Sequence, residues 1–261
     1  RVKHPTMEEW GLGEVLEDSS GGVVRVFFVG AGEKNLALSH VAPTRVPAAE
    51  AAHPILDNLK VSISSSGIRY QSLPESIQYF LSQFPGGFFG DRFAKHERDY
   101  KVHAHEQAVE LLGDSAFREL LKKEDYAEIA RRALKVMNST NLIFPNEKMA
   151  LKDGLGTDGA KKSFSITLFD LLYGDGPLED RFLAFAKVLE DIGAAKWTTL
   201  TYFPYIVQPS EHMFIKPTIT QHAAELCAFE INYRPQINWL TYKQVLLLAR
   251  YLWDALEELK P

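Results

Sequence analysis

Gly21-Gly22-Val23-Val24-Arg25-Val26-Phe27-Phe28-Val29-Gly30-Ala31-Gly32 is the stretch on which the fold turns. Apart from Arg25 its central run is β-branched or aromatic, too short for a convincing helix, and closed by glycines at both ends, so it reads as a strand. Upstream, Gly11-Leu12-Gly13-Glu14-Val15-Leu16 leads into Asp18-Ser19-Ser20-Gly21-Gly22, a composition that reads as a turn cluster. Downstream, Gly30-Ala31-Gly32 is a second turn. Glu33 to His40 then alternates, with Leu36 and Leu38 expected on one face of a half-buried strand. Three or four short strands joined by tight glycine turns predict a small curled barrel, too small to bury much by itself.

Beyond it, Ala42-Pro43-Thr44-Arg45-Val46-Pro47-Ala48-Ala49-Glu50-Ala51-Ala52-His53-Pro54 reads as a connector, because proline fixes φ and donates nothing to a ladder. The expected organisation is a β-barrel module over 1–45, a Pro/Ala linker over 46–57 and a mainly helical domain over 58–261, an α+β fold. Helices are predicted from Pro74 to Gln83, stopped by Phe84-Pro85-Gly86-Gly87, and from Asp91 to Leu112, closed by Gly113. Ser115 to Leu121 and Tyr126 to Met137 follow, and Asn138 to Asn146 breaks the pattern. Asp175-Gly176-Pro177 starts a helix through Asp191, with Leu178, Phe182, Phe185, Val188, Leu189 and Ile192 at core spacing and Gly193 as terminator. Trp197 to Pro217 is aromatic and punctuated by proline, so it reads as two short extended segments or a packed loop. Helices resume at Thr220 to Phe229 and at Thr241 to Leu259, the latter capped by Thr241. Trp239 and Trp253 read as core.

Composition narrows the function. The 261 residues are 46% hydrophobic and 24% charged, enough for a sizeable core. A net charge of -5 counts against a chain that coats a duplex, which needs Lys and Arg to replace phosphate counterions. The single cysteine, Cys227, excludes an intrachain disulfide, and its apolar helical setting reads as an inert buried thiol. No apolar run approaches the roughly 20 residues that span a bilayer. The opening residues lack a secretory h-region, so the expected location is cytoplasmic. No Ser sits in a Gly-x-Ser-x-Gly elbow. Gly154-Leu155-Gly156-Thr157-Asp158-Gly159-Ala160-Lys161-Lys162 has the wrong spacing for a phosphate loop and reads as a turn.

Val2-Lys3-His4-Pro5, Trp10-Gly11-Leu12-Gly13-Glu14-Val15-Leu16, Val24-Arg25-Val26-Phe27-Phe28 and Gly32-Glu33-Lys34 form a pattern with a relative. Over roughly the first 45 residues it resembles the small Tudor/SH3-like barrel module at the end of some bacterial superfamily 1 helicases. More loosely, it resembles barrels of transcription–repair coupling factors and RNA-polymerase-interacting regulators. This chain departs from that pattern by Thr6-Met7-Glu8-Glu9 before Trp10, which adds negative charge. The resemblance implies a barrel that binds a protein partner, such as RNA polymerase or a helicase, or nucleic acid. In physical terms Lys3, Arg25 and Lys34 with Trp10 and Phe27 can form a surface of cations and rings that stacks on bases or grips a partner. Alternatively, Trp10 and Phe27 are the barrel's own core and the cations are solvated.

The densest ionisable stretch is His96-Glu97-Arg98-Asp99-Tyr100-Lys101-Val102-His103-Ala104-His105-Glu106. On a regular helix His96, Asp99, His103 and Glu106 share one face, where imidazole and carboxylate can ligate a divalent metal; the competing reading is a solvated face with an Asp99–His103 pair. His222 and Glu225 read as a helix brace. The expectation is an adaptor without enzymatic activity or cofactor, associated with transcription or DNA repair. The alternatives are a metal-dependent or nucleic-acid-processing enzyme on the His96/Asp99/His103 face, and a small-ligand binder using the Trp197 to Pro217 segment.

Overall fold

The computed structural model describes residues 1–57, 59 and 73–256. Positions 58 and 60–72 of the expected mainly helical domain, and the last residues of the helix expected to reach Leu259, lie outside the described residues. The fold is α+β, a small antiparallel sheet at the N-terminus followed by helices.

Strands β1 (Val2–Lys3), β2 (Leu12–Ser20), β3 (Val23–Phe28), β4 (Gly32–Ala37) and β5 (Thr44–Arg45) form one sheet in the order β4-β3-β2-β1-β5. Among the described residues no ladder joins β4 to β5. The β2–β3 turn is tighter than its composition suggests. Asp18, Ser19 and Ser20 continue the strand, Ser20 pairs with Val23, and Gly21 and Gly22 make the turn with φ of 78° and 79°. Two successive positive φ values match the twist of a hairpin and cost glycine almost nothing. At the other end β4 stops at Ala37. The Leu38 N–H bonds to Gly22 O, and the side chain is 40% exposed instead of sharing a buried face with Leu36.

Register decides which side chains meet. Val26 pairs with Val15 and Lys34, Phe28 with Gly13 and Gly32, and Val24 with Leu36. Directly opposed residues share a face, so Val2, Val24, Val26, Phe28 and Leu36 make one apolar cluster, against which Trp10, Val15 and Ala31 pack.

The chain forms two compact units, one of residues 1–90, 220–233 and 247–261, the other of 91–219 and 234–246. In the first unit the proline-rich connector carries structure of its own. It supplies β5, a 3-10 turn at Ala48–Glu50 and helix α1 (Pro54–Asp57), whose Ile55 and Leu56 are buried. Arg1 reaches the carboxylates of Glu14 and Asp57, the His53 ring lies against Tyr251, and Leu59 bridges Phe229. Helix α2 (Leu73–Gln83) ends before the expected Pro-Gly-Gly stop.

The second unit is helical. Helix α3 (Asp91–Phe93) runs through a π turn at Ala94–Arg98 into α4 (Asp99–Leu112), and α5 (Asp114–Lys122) and α6 (Tyr126–Asn138) follow close to their expected bounds. Helices α7 (Pro145–Gly154) and α8 (Asp158–Tyr173) occupy sequence that carried no helix expectation. Their starts are nevertheless signalled: Pro145 opens α7 while the Glu147 carboxylate accepts the Phe144 N–H, and Thr157 Oγ1 accepts the Ala160 N–H. The glycine-rich 154–162 stretch is therefore the end of α7, a short turn and the start of α8. Helix α9 (Leu178–Asp191) matches its prediction.

Helix α10 (Trp197–Val207) corrects the expectation of extended segments or a loop. Its β-branched and aromatic residues and Pro204 argue locally against helix. Nearly every residue of it is buried, on all sides, and a helix that is apolar all round belongs in a core. Side chains satisfy polar groups there. Thr201 Oγ1 donates to Trp197 O at 2.7 Å and accepts the Ile215 N–H at 2.9 Å, and Tyr202 Oη donates to Val136 O at 2.8 Å.

Helices α11 (Pro217–Leu226) and α12 (Trp239–Ala255) pass from the second unit into the first. The α12 start is capped by Asn238, whose Oδ1 accepts the Thr241 N–H, and not by Thr241. Trp253, expected in a core, is 66% exposed, whereas Trp239 lies 5.6 Å from Phe182. Among the described residues no helix is long and apolar enough to cross a membrane.

Candidate functional site

The Gly-x-Gly motif has a packing reason. A 3-10 turn at Glu8–Trp10 delivers the Trp10 ring to the sheet, and Gly11 leaves that turn with φ of 67°. A Cβ at Gly13 would stand 2.7 Å from Phe28 Cδ1, so only a bare backbone lets the ring lie across β2. His4 is buried 4.6 Å from the Trp10 ring, and its Nδ1 accepts the N–H groups of Thr6 and Met7. The inserted Thr6-Met7-Glu8-Glu9 is thus the turn that seats Trp10, and Glu8 and Glu9 stay exposed beside it.

The candidate surface residues divide between two faces. Lys34 shares the face of Val26 and Phe28, and its Nζ lies 5.7 Å from the centre of the half-buried Trp10 ring. Arg25 and Phe27 alternate with Val26 and so occupy the opposite face, as does Lys3, which pairs with Leu12. Phe27 is buried there, Arg25 Nε lies 3.0 Å from Glu33 Oε1, and Lys3 is exposed. The fold joins Trp10 with Lys34 and separates that pair from Lys3, Arg25 and Phe27.

His96, Asp99, His103 and Glu106 are all exposed. His96 lies within the π turn and the other three in α4 beyond it, so α-helical spacing does not carry from the first of them to the rest. His103 and Glu106 approach to 3.9 Å, Asp99 is bonded to Arg98, and among the described residues no three His, Cys, Asp or Glu side chains converge as metal ligands. The histidine of this helix that turns inward is His105, whose Nδ1–H donates to Ile206 O at 2.8 Å. Cys227 is buried, and burial pushes its thiol up to about 11.

A polar cleft that sequence reasoning missed lies in the helical unit. It measures about 380 Å³ and is walled by Asp114, Arg118, Tyr173, Arg181, Gln208 and His212, with Glu211 at its lining. His212 is 7% exposed; burial, reinforced by the Arg181 charge, lowers its pKa to about 4. Its Nδ1 lies 2.9 Å from Tyr242 Oη. Arg118 is paired with Asp114 at 2.7 Å and lies over the Phe169 ring. In the sequence His212 merely stands beside Glu211, within the Trp197 to Pro217 segment that reads as extended segments or a packed loop.

The chain matches no family model, no curated protein and no solved structure.

Proposed function

We propose that this chain is a cytoplasmic adaptor without enzymatic activity. Its N-terminal sheet, acting as a curled SH3/Tudor-like module, docks on a protein partner in transcription or DNA repair. The observation that carries this reading is the Trp10–Lys34 pair: a half-buried indole under an ammonium, next to strand β4, which has no neighbour on its outer side among the described residues. Rings with an adjacent cation are what protein interfaces use as anchors. An unpaired strand edge offers main-chain donors and acceptors to an extended peptide. RNA polymerase or a helicase is the partner class the resemblance of Trp10-Gly11-Leu12-Gly13 suggests.

Charge favours protein over nucleic acid. Arg1 is engaged by Glu14 and Asp57 and Arg25 by Glu33, so two of the sheet's cations are neutralised within the sheet's own unit. The net charge of -5 opposes phosphate binding further. The test uses the full chain immobilised against purified RNA polymerase and a superfamily 1 helicase, with single-stranded DNA measured by anisotropy at two salt concentrations. Capture of either protein, weakened at least about tenfold by Trp10→Ala or Lys34→Glu, is the expected result. Failure to capture either protein, or tight salt-dependent DNA binding, overturns it.

A further inference from the structure

The cleft of the helical unit holds polar groups that are fixed in place yet not used up by one another. Arg181 is the clearest. Its Nε donates to Gly176 O at 2.8 Å, and its Nη1 donates to Leu171 O at 2.8 Å and Asp170 O at 3.2 Å. Among the described residues Nη2 makes no hydrogen bond, and no carboxylate lies within ion-pair distance of the guanidinium. Asp114 of the same cleft is committed to Arg118. A guanidinium oriented in advance and lacking a counter-ion is an anchor for a carboxylate.

His212 is a further fixed group: its buried ring lines the cleft with Nδ1 2.9 Å from Tyr242 Oη. Gln208 supplies the complement. Its neighbour Leu172 O, at 3.0 Å, can only accept, which assigns Nε2 to that contact and leaves Oε1 a buried acceptor with no donor. Glu211 adds an exposed carboxylate whose side chain makes no bond among the described residues.

We propose that this cleft binds a small zwitterion of the free amino acid class, its carboxylate on Arg181 and its ammonium directed to Glu211 and the Gln208 amide oxygen. One uncompensated positive anchor and one uncompensated negative one in a single small space select a ligand that carries both charges. A volume of about 380 Å³ lies at the small-molecule end of binding clefts. This site goes beyond the docking role of the sheet and does not depend on it.

The full chain is titrated calorimetrically, and its thermal midpoint followed, with a panel of free L-amino acids and with acetate, inorganic phosphate and methylamine as half-ligands. At least one amino acid binds and raises the midpoint, while each half-ligand binds at least about tenfold more weakly. Arg181→Met abolishes binding. Because Arg181 also holds the end of α8, Glu211→Gln is the decisive variant: it weakens binding at least about tenfold with an unchanged ligand-free midpoint. No binding by any amino acid at millimolar concentration overturns the proposal. So does equal binding of acetate or phosphate that Glu211→Gln leaves unaltered.

Discussion

At the scale of single residues, burial sets the chemistry. His212 is uncharged in the folded protein down to about pH 4, whereas in the unfolded chain it takes up its proton near 6.5. Between those values the unfolded state binds more protons, so stability is fully present above 6.5 and declines as pH falls toward 4. The shift corresponds to about 3 kcal/mol across that window. Urea denaturation at pH 7, 5.5 and 4.5 should show this loss, and His212→Gln should flatten it relative to the parent chain. His53 moves in the same direction, chiefly through burial, against the opposing pull of Asp57, so the comparison of variant with parent isolates His212. None of this was legible from His212 beside Glu211 in sequence, because the hydrogen-bonding partner, Tyr242, is thirty residues away along the chain. Tyr202 makes the same point: its hydroxyl ties α10 to Val136 and Thr140, and no local pattern pairs those positions.

At the scale of elements, local signals read correctly where they were strong and contiguous. The run Val23 to Phe28 is a strand, glycines turn on both sides of it, and the helix from Leu178 to Asp191 follows its core spacing. The β2–β3 hairpin depends on Gly13 for close approach. Gly13→Ala should cost about 1–3 kcal/mol, measured by thermal or chemical denaturation, because the new methyl would meet the Phe28 ring at 2.7 Å and neither strand nor ring can move without disturbing the cluster of Val2, Val24, Val26 and Leu36. The misreadings also have a common cause. α10 is composed of residues that prefer strands, and it is helical because neighbours cover it on every side. The π turn at Ala94–Arg98 breaks the three-four spacing that made His96, Asp99, His103 and Glu106 look like one ligand face.

At the scale of the molecule, the first unit is assembled from three stretches of chain, 1–90, 220–233 and 247–261. A fragment of residues 1–57 therefore lacks Tyr251, whose ring lies against His53 in the same unit. Such a fragment should show weaker amide protection in β1 and β5 than the full chain, measured by hydrogen exchange. Equal protection would mean that the sheet is stable without the later segments. The buried Ile55 and Leu56 of the connector argue the same way, since short apolar helices do not stand in water without cover.

The order of residues was sufficient for the strands of the small sheet, for most helix bounds that are closed by glycine or proline, and for the buried thiol. Each of these rests on interactions within a few positions along the chain. The division of Trp10 and Lys34 from Arg25 and Phe27, the helical state of α10 and the polar cleft around Arg181 came from folding in three dimensions. Strand register, burial and hydrogen-bond partners are set by groups far apart in the chain, and no local pattern encodes which of them meet.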